Sequence, residues 1–378
     1  MSKPKPLNNQ VSSQKVAIVH DWLVGGGAER VVQALHQLYP DAPIYTSYCT
    51  KEWRNKLDNK VVTGYLQHLG KFRKYLPLLQ YWWFRSLRLK KYDVIIASAG
   101  NGQAKAVKKG NATLICYCHT PVHFLWRHYK KYMKRPGFGI FNPIARLGLL
   151  IFAGPLRRLD YKAAQKVDIF IANSTHIQAD IKQYYNKDAQ VIFPPVNTTL
   201  FTQKNTANKN RKGVITVGRL VPMKHVDSIV EVCNNNHYPL TIIGKGPELA
   251  KLQIKAGLTV QFITNASDEE VAKRVSGAKA FVFASFEDFG VAPVEALAAG
   301  TPVVALQKGG AKDYITNRNG VFYQNQSTLE LEQAIQKCLA KKWDHTAISK
   351  SSQKFAVKEF KTKIKKTVKN SKKLKPNE

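Results

Sequence analysis

The sequence predicts an α/β protein made of two doubly wound domains, and three observations support that fold class. Apolar runs typical of buried strands alternate with helical patterns along most of the chain. The alternation stops at a proline-containing, polar stretch at 194–212 and then starts again. A chain of 378 residues is too long for one ordinary core and fits two domains. We therefore expect two Rossmann-like domains facing across a cleft, which is a common place for a binding site.

The predicted elements follow in chain order. The first half begins with a strand at 15–20 and a helix at 28–38, and its further strands are predicted at 92–98, 112–117 and 167–173. The second half contains strands predicted at 213–218, 239–244, 260–263, 280–285 and 301–306. Between the last two strands, Pro293 and Gly300 are typical of the first turn and the end of a short helix.

These patterns also set the predicted domain boundaries. The divisions are a flexible lead-in at 1–14, an N-terminal Rossmann-like domain at 15–193, a linker at 194–212, a C-terminal Rossmann-like domain at 213–345, and a basic C-terminal helix and tail at 346–378. The lead-in lacks the apolar core of a signal peptide. The most apolar stretch, 147–156, has about half of the roughly 20 residues that a membrane helix needs. We therefore expect that the chain does not span a bilayer.

The chain is strongly basic. It has 59 Lys and Arg against 25 Asp and Glu, a formal net charge of +34. Such an excess is typical of proteins that act on polyanions or at an anionic membrane surface. The five cysteines are an odd set without paired CxxC spacing, which favours reduced thiols inside a cell over disulfides or a zinc site.

The most informative motif lies between the strands predicted at 280–285 and 301–306. It places Glu287 and Glu295 eight positions apart around a glycine-containing loop that opens a helix. Open parallel sheets bind ligands at the carboxyl ends of their strands, and the free N–H groups of a helix start attract anions. The motif therefore predicts a place that holds a sugar and its phosphates.

Three further candidates follow predicted strands. The glycine loop 25–27 would let backbone approach a phosphate, although a plain tight turn explains it equally well. It is not a dinucleotide fingerprint, because Arg30 stands where the last glycine should be. Arg219 and Lys224 can neutralise a leaving diphosphate or can be solvated surface cations. His119 can bond a substrate hydroxyl and relay a proton, or it can be structural.

A pair of carboxylates is also typical of glycosidases, which place an acid and a nucleophile or base across the scissile bond. Hydrolysis does not require an anion-binding helix start or the Arg219 and Lys224 pair, whereas transfer from a nucleotide sugar uses both. The sequence contains no Asp-x-Asp at a predicted strand end and no grouped His/Cys set. We therefore expect no metal site, and we expect the two cations and backbone N–H groups to meet the charge of the diphosphate.

In combination these motifs resemble the glycosyl transferases group 1 family, which comprises retaining enzymes of the GT-B fold. The resemblance is carried by Glu287 with Glu295, by Gly-Arg-Leu-x-x-x-Lys at 218–224, and by Gly-Gly-Gly-Ala-Glu-Arg at 25–30. It extends over about residues 15–341. The resemblance implies that the N-terminal domain binds the acceptor and that the C-terminal domain binds a nucleotide sugar.

The resemblance also implies a role for each matching residue. Arg219 and Lys224 would grip the donor diphosphate, and Glu295 would bond the ribose hydroxyls. Glu287 would hold the hydroxyls of the donor sugar and His119 would line the acceptor side near the reacting carbon, so these two are the predicted catalytic residues. The other predicted donor contacts are the backbone of Phe289, Gly290 and Val291 and the glycines Gly26 and Gly27. The expected co-substrate is a GDP- or UDP-linked sugar, with no metal ion and no further cofactor.

Two stretches resemble one branch of the family most closely. The form Glu-Asp-Phe-Gly-x-x-Pro-Val-Glu at 287–295 and His-Thr-Pro at 119–121 look like mannosyltransferase-type members that build bacterial polysaccharides or glycolipids. Those relatives often carry Arg where His123 stands, and Asp288 replaces the more general Gly. The resemblance implies a hexosyltransferase that favours mannose and acts on a lipid-linked or saccharide acceptor.

Two basic and aromatic stretches, 65–92 and 124–158, are typical of a surface that meets an anionic bilayer. We therefore predict a cytoplasmic protein that is peripheral on the inner face of the membrane. A nucleic-acid-binding protein is the alternative from another class, because +34 could bind phosphate backbones, but no recognised module predicts a specific nucleic acid. A nucleotide-sugar epimerase of related architecture is the second alternative.

Overall fold

The computed structural model describes residues 14–100, 102–134, 136, 139, 142–205 and 210–371. Almost all of the predicted lead-in and the last lysines of the predicted tail lie outside the described residues. The side chains of 71–75, 204 and 205 are likewise outside the description.

The first sheet has seven strands. They are β1 (Val16–His20), β2 (Ile44–Thr46), β3 (Val61–Val62), β4 (Val94–Ala99), β5 (Thr113–Cys118), β6 (Ile169–Ala172) and β7 (Ala189–Val191), in the spatial order β3-β2-β1-β4-β5-β6-β7. β1 pairs in parallel with β2 and with β4. Every residue of β1, β4 and β5 is buried, which explains why these strands read as continuous apolar runs.

The helices that accompany this sheet are α1 (Gly27–Leu38), α2 (Lys51–Lys56), α3 (Pro77–Ser86), α4 (Tyr129–Lys134), α5 (Asn142–Gln165) and α6 (Thr175–Tyr185). Short 3-10 helices cover Tyr65–Tyr75 and Ala104–Ala106. The predicted strands at 15–20, 92–98, 112–117 and 167–173 are confirmed to within two residues at each end, whereas β2, β3 and β7 were not predicted. These three strands have two or three residues each, too few to show a periodic pattern.

The second sheet has six strands. They are β8 (Val214–Val217), β9 (Leu240–Ile243), β10 (Val260–Ile263), β11 (Ala280–Phe283), β12 (Val303–Leu306) and β13 (Gly320–Tyr323), in the order β10-β9-β8-β11-β12-β13. All five neighbouring pairs are parallel. Two parallel sheets with alternating helices confirm the predicted doubly wound α/β class.

The helices that follow are α7 (Thr198–Asn205), α8 (Val226–Asn235), α9 (Leu249–Lys255), α10 (Asp268–Ser276), α11 (Val291–Ala298), α12 (Ala311–Tyr314), α13 (Thr328–Ala340), α14 (His345–Ser351) and α15 (Val357–Ser371). Two 3-10 turns cover Pro222–Lys224 and Gln353–Phe355. The short helix predicted around Pro293 is α11, and Gly300 follows its end with a φ of 70°.

The chain forms two compact units. The first comprises residues up to 24, 35–117 and 122–170, and the second comprises 25–34, 118–121 and 171 onward. The domain boundaries predicted from composition stay a prediction. No helix of the described residues is both long enough and apolar enough to cross a membrane. The five cysteines are free and buried.

The core of the second unit includes segments that composition assigned to the linker and the basic tail. Val196 and Phe201 are fully or almost fully buried, as are Ile348 and Phe355, and all four belong to one cluster with Phe281. Helix α15 adds Phe360, Ile364 and Val368, whose spacing of four residues gives it one buried face despite its lysine content. The lysines of α15 therefore line only the exposed face of a packed helix.

Candidate functional site

The second sheet has a topological switch point at its centre. Strands β8 and β11 are neighbours, but the chain proceeds from β8 towards β10 on one side and from β11 towards β13 on the other. Loops that leave the carboxyl ends of such strands diverge and open a crevice, where doubly wound proteins bind ligands. Most of the residues predicted to bind the donor lie in these two loops and in the helix that follows the second.

The loop after β8 and the loop after β11 meet through an ion pair. Lys224, the last residue of a 3-10 turn, donates to the carboxylate of Glu287. The side chains are 20% and 33% exposed, so the pair is partly shielded from water while open to a ligand. The Lys224 ammonium also lies 5.4 Å from the ring centroid of Phe283, at the end of β11. The structure therefore joins two residues that the sequence assigned to neighbouring parts of one donor molecule.

Gly290 directs the chain from the Glu287 loop into α11. Its φ of 89° lies in a region that L side chains rarely adopt, and an added Cβ would stand 2.8 Å from the hydroxyl of Tyr314. Val291 is then the first residue of the helix, and its N–H group is one of those that an α-helix leaves without an intrahelical acceptor. The glycine is thus needed to bring the helix start to the end of β11.

Phe289 contributes differently from its neighbours. Its side chain is 4% exposed and packs against Tyr314 and Phe355, so it belongs to the core. Its carbonyl accepts a hydrogen bond of 3.0 Å from the Tyr314 hydroxyl. Burial, with the nearby Glu287 and Asp313 carboxylates, raises the pKa of Tyr314 well above its ordinary value, so the phenol stays protonated as a donor. Tyr314 was not predicted as a site residue, and its hydrogen bond to Phe289 holds the backbone of the loop between β11 and α11 in place.

Two glycines after β12 also shape this loop and were missed by the sequence analysis. An added Cβ at Gly309 would stand 2.2 Å from the carbonyl oxygen of Glu287, and one at Gly310 would stand 2.4 Å from the Cα of Phe289. The Gly310 N–H donates to the Glu287 carbonyl at 3.0 Å. Two adjacent glycines just after a predicted strand could have indicated a close approach of two backbone segments at this point.

Glu295 is 7% exposed and lies about one turn into α11. It accepts a hydrogen bond from the guanidinium of Arg30, which belongs to the same compact unit. Burial lowers the pKa of Arg30, but the Glu295 carboxylate outweighs this and the net shift is upward. Arg30, which stands where a dinucleotide fingerprint would have its last glycine, thus forms an ion pair with Glu295, a predicted donor-binding residue.

The predicted glycines lie beside the same helix. Gly27 is the first residue of α1, and a Cβ added there would lie 3.8 Å from the side chain of Val291. A Cβ at Gly26 would lie 3.1 Å from the Glu29 carboxylate, which accepts a 2.9 Å hydrogen bond from the N–H of Gly25. The loop is therefore tied to the first turn of its own helix, and Gly27 lies next to the start of α11.

Arg219 is exposed directly after β8. With Gly218, Lys224, Phe283 and Ser285 it lines a small cavity of about 10 Å³, room for roughly one water molecule. Ser285 is 4% exposed, and among the described residues its hydroxyl has no hydrogen-bond partner. Its place at the end of β11, two residues before Glu287, was a signal that the sequence analysis did not use.

His119 follows β5 and is partly buried. Its carbonyl accepts a hydrogen bond of 2.9 Å from the side-chain amide of Asn173, so the backbone at this position is fixed. His123 belongs to the other compact unit. Burial, and then the charges of His128 and Arg127, lower the pKa of His123 to about 4, so its imidazole is neutral at physiological pH.

The first unit holds a buried carboxylate at the carboxyl ends of β1 and β4. Asp21 is 3% exposed and accepts hydrogen bonds from the N–H groups of Gly100, Gly102 and Ala104 at 2.7, 3.0 and 2.9 Å. Each of its oxygens is thereby used to fold the loop after β4. Asp21 is a structural anchor for this loop.

Metal-ligating residues are not grouped in the part of the chain that the structure describes, where no three His, Cys, Asp or Glu side chains could share an ion. A groove of about 680 Å³ lies at the opposite, amino-terminal ends of β8 and β9 and is lined by Lys212, Glu269 and Arg274 among others. It contains none of the predicted site residues, and open parallel sheets bind ligands at the other edge.

Two parallel, doubly wound sheets, with acidic and basic side chains collected at the carboxyl ends of the second, are the arrangement of the GT-B fold. Solved structures of this fold are similar along almost the whole chain. HepE of Anabaena in complex with UDP has a TM-score of 0.68 at 19% identity, covering 94% of this chain and 100% of that one. Sucrose-phosphate synthase of Thermosynechococcus elongatus has a TM-score of 0.68 at 17% identity, covering 96% and 100%. At these identities the likeness shows the fold.

Residues 197–355 match the family model of glycosyl transferases group 1, and residues 25–200 match that of glycosyltransferase family 4. Together the two matches identify a glycosyltransferase whose C-terminal half belongs to the glycosyl transferases group 1 family. This confirms the resemblance and favours a glycosyltransferase over the nucleic-acid-binding protein and the epimerase.

Curated relatives match over shorter stretches. A GDP-mannose-dependent alpha-mannosyltransferase of Mycobacterium tuberculosis is 37% identical over 108 residues, which is 28% of this chain and 28% of that protein. The O-antigen chain mannosyltransferase RfbU of Salmonella typhimurium is 25% identical over 232 residues, covering 58% and 62%. The chain thus spans less than two thirds of the length of these relatives.

Proposed function

We propose that this protein is a retaining glycosyltransferase that moves a hexose, with mannose favoured, from a nucleotide sugar to a glycolipid or polysaccharide-precursor acceptor. The observation that carries the proposal is the meeting of Lys224 with Glu287 at the switch point, beside the start of α11 and the buried Glu295. A nucleotide sugar carries a diphosphate and two sets of hydroxyls. Cations and a helix start can bind the diphosphate, and the two carboxylates can accept hydrogen bonds from the hydroxyls.

Each group has a distinct task in the proposed donor complex. Arg219 and Lys224 neutralise the diphosphate, which is the leaving group. Glu295 accepts hydrogen bonds from the ribose hydroxyls, and Glu287 accepts them from the hydroxyls of the sugar. Because carboxylates repel phosphates, Glu287 and Glu295 also confine the diphosphate to the space between them, next to the two cations.

The proposed reaction retains the configuration of the anomeric carbon. The bond from that carbon to the diphosphate oxygen breaks, and the acceptor oxygen forms its bond on the same face. The acceptor proton passes to the departing phosphate oxygen, so no separate base and no metal ion are required. Lys224 and Arg219 stabilise the charge that develops on this phosphate, while His119 positions the acceptor near the reacting carbon.

Mannose is favoured by the relatives whose names specify it. Both the mycobacterial and the Salmonella proteins are mannosyltransferases, and the first is named as GDP-mannose-dependent. A lipid-linked acceptor and a location on the inner membrane face are supported by exposed apolar side chains such as Trp82, which is 61% exposed within the basic stretch 65–92.

A thermal-shift screen against UDP- and GDP-sugars tests the donor proposal, followed by measurement of Glu295→Gln. The wild type should be stabilised by one nucleotide series, with GDP-mannose expected to be best, and Glu295→Gln should lose that stabilisation. Arg30→Met is the matched control, because it removes the ion pair of Glu295 but keeps the carboxylate, and it should still respond to the donor. A full response of Glu295→Gln would contradict the assignment of the ribose contact.

A further inference from the structure

Helix α5 carries an unusual set of exposed side chains. Its large apolar residues that face solvent are Ile144, Leu147, Leu150, Ile151 and Phe152, which are 69%, 57%, 62%, 56% and 49% exposed. Among the described residues, the exposed large hydrophobic side chains are densest here. Ordinary surface hydrophobics occur singly, so a contiguous apolar stripe marks a surface that contacts something else.

The stripe lies opposite the face by which α5 is attached. Ala153, Leu156 and Asp160 recur at helical spacing and are buried at 2%, 5% and 0% exposure. Ile144, Leu147 and Ile151 recur at the same spacing half a turn away. Ala153 and Leu156 pack in a core cluster with Val122 and Leu125 of the same unit. The helix is therefore already folded against its own unit, and its outer face is apolar as well.

The exposed charged side chains of α5 and of the adjoining helix α4 are all basic, and together they form what we call the basic rim of the stripe. Arg146, Arg158 and Lys162 are exposed on α5, and the adjoining helix α4 exposes Lys130, Lys131 and Lys134. The two helices are joined by a hydrogen bond of 2.8 Å from Arg146 to the carbonyl of Lys134. Within α4 and α5 the acidic residue is Asp160, which is fully buried, so the outer surface carries positive charge alone.

We propose that the outer face of α5 lies in the interface of an anionic lipid bilayer, with its apolar stripe among the acyl chains and its basic rim among the head groups. An apolar stripe bordered by cations matches the two layers of such an interface, and the charge selects anionic lipid. A 24-residue helix that is held on one side cannot span, so it lies in the plane. The proposal rests on the membrane-surface acceptor proposed above and names the segment that makes the contact.

Co-sedimentation of the full chain with vesicles tests this assignment. Vesicles of phosphatidylcholine with phosphatidylglycerol should bind the wild type, and vesicles of phosphatidylcholine alone should bind it weakly. Leu147→Gln with Ile151→Gln should weaken binding at least about tenfold, because two large aliphatic side chains no longer enter the apolar layer. The control pair is Ile254→Gln with Leu329→Gln, on α9 and α13, where the side chains are 86% and 64% exposed. This pair should bind like the wild type.

A labelled cysteine gives the position directly. Since the five native cysteines are buried, a single Leu147→Cys variant can be labelled with an environment-sensitive dye. Its emission should shift to the blue on adding phosphatidylglycerol vesicles, whereas the same label at Ile254→Cys should not shift. A label at position 147 that stays in water while the protein binds vesicles would overturn the assignment of α5.

Self-association through the stripe and failure of the donor site would each give a different result. If the stripe is an interface between copies of the chain, light scattering will show a dimer that Leu147→Gln with Ile151→Gln converts to a monomer, and vesicles will not bind. That result would overturn the proposal. Failure of the glycosyltransferase proposal would instead appear as the absence of thermal stabilisation by every UDP- and GDP-sugar, with vesicle binding intact.

Discussion

Lys224 and Glu287 are 63 residues apart in the sequence, yet they form an ion pair across the switch point of the second sheet. Parallel pairing of β8 with β11 brings the two strand ends side by side, so the pair follows from the strand order. In the proposed donor complex a diphosphate replaces Glu287 as the partner of Lys224, and Glu287 turns to the sugar hydroxyls. Substitutions of Lys224 and of Glu287 should therefore affect the binding of different parts of the donor.

Lys224→Ala should weaken binding of both the nucleoside diphosphate and the nucleotide sugar. The loss should be about 1.5 to 3 kcal/mol, or roughly tenfold to a hundredfold, because a charge-assisted contact is removed. Glu287→Gln should weaken only the nucleotide sugar, since the diphosphate does not use this carboxylate. Titration calorimetry with GDP, UDP and their sugars measures both.

Lys251→Ala is the control for general loss of positive charge, because Lys251 is 59% exposed and 3.5 Å from Glu248. It should bind both ligands like the wild type. Equal losses for the nucleoside diphosphate in Lys224→Ala and Glu287→Gln would mean that the pair acts only through the shape of the loops.

Gly290→Ala should destabilise the protein and reduce donor binding. The alanine would have to adopt a φ of 89°, and its Cβ would stand 2.8 Å from the hydroxyl that holds the Phe289 carbonyl. Such backbone strain costs about 1 to 3 kcal/mol. The midpoint of urea unfolding, followed by tryptophan fluorescence, should fall accordingly.

Gly148→Ala is the matched control for this glycine. Gly148 lies inside α5 without a positive φ, and a Cβ added there meets no atom within 4 Å. The substitution should stabilise by roughly 0.5 to 1 kcal/mol, since alanine favours a helix interior. An unchanged midpoint for Gly290→Ala would show that the loop relaxes around the new side chain and that the glycine is dispensable.

The parts of the site that follow from local pattern could be predicted from the sequence. Glu287 and Glu295 flank a strand-to-helix loop because a fully buried strand such as β11 and a proline-opened helix such as α11 have strong signatures. Arg219 and Lys224 were located by the same reasoning, since they lie in the loop that follows β8. Their roles stay predictions.

The parts that depend on distant contacts could not be predicted. Arg30 and Glu295 are 265 residues apart, and no periodicity relates them. Tyr314 supports the carbonyl of Phe289 from a four-residue helix that has no amphipathic pattern. The buried face of α15 was hidden because its lysines dominate the composition, although Phe360 and Ile364 stand at helical spacing. The composition of α15 reflects its many exposed lysines, whereas its packing depends on a few apolar residues at helical spacing.

Stability should fall as the pH is lowered from about 6.5 to about 4 because of His123. Its pKa is 6.5 in the unfolded chain and about 4 in the folded one, so the unfolded state binds more protons in this range. The neutral imidazole contributes its full effect above pH 6.5 and loses it as the pH falls, by up to about 3 kcal/mol. His123→Gln should flatten the pH dependence of urea unfolding over this range.

His68→Gln serves as the control, because the side chain of His68 is exposed. Other groups also titrate here, so the quantity to compare is the difference between each variant and the wild type. The same pH slope in His123→Gln and in the wild type would mean that His123 is accessible to protons in the folded state.

Asp160→Ala should be strongly destabilising, by about 3 to 5 kcal/mol, because it leaves the Lys105 ammonium buried without its carboxylate. Asp160 is fully buried, Lys105 is 2% exposed, and the indole N–H of Trp126 donates to the same carboxylate at 2.8 Å. Lys105→Met with Asp160→Leu removes both charges and should lie closer to the wild type, since no buried ammonium is then left without its carboxylate. Asp188→Ala removes a pair whose side chains are 58% and 92% exposed, and it should change stability by less than about 1 kcal/mol. Urea unfolding measures the stability of all three variants. If the double variant is less stable than Asp160→Ala, the ion pair itself stabilises this core, and the loss in Asp160→Ala is not caused by an unpaired buried charge.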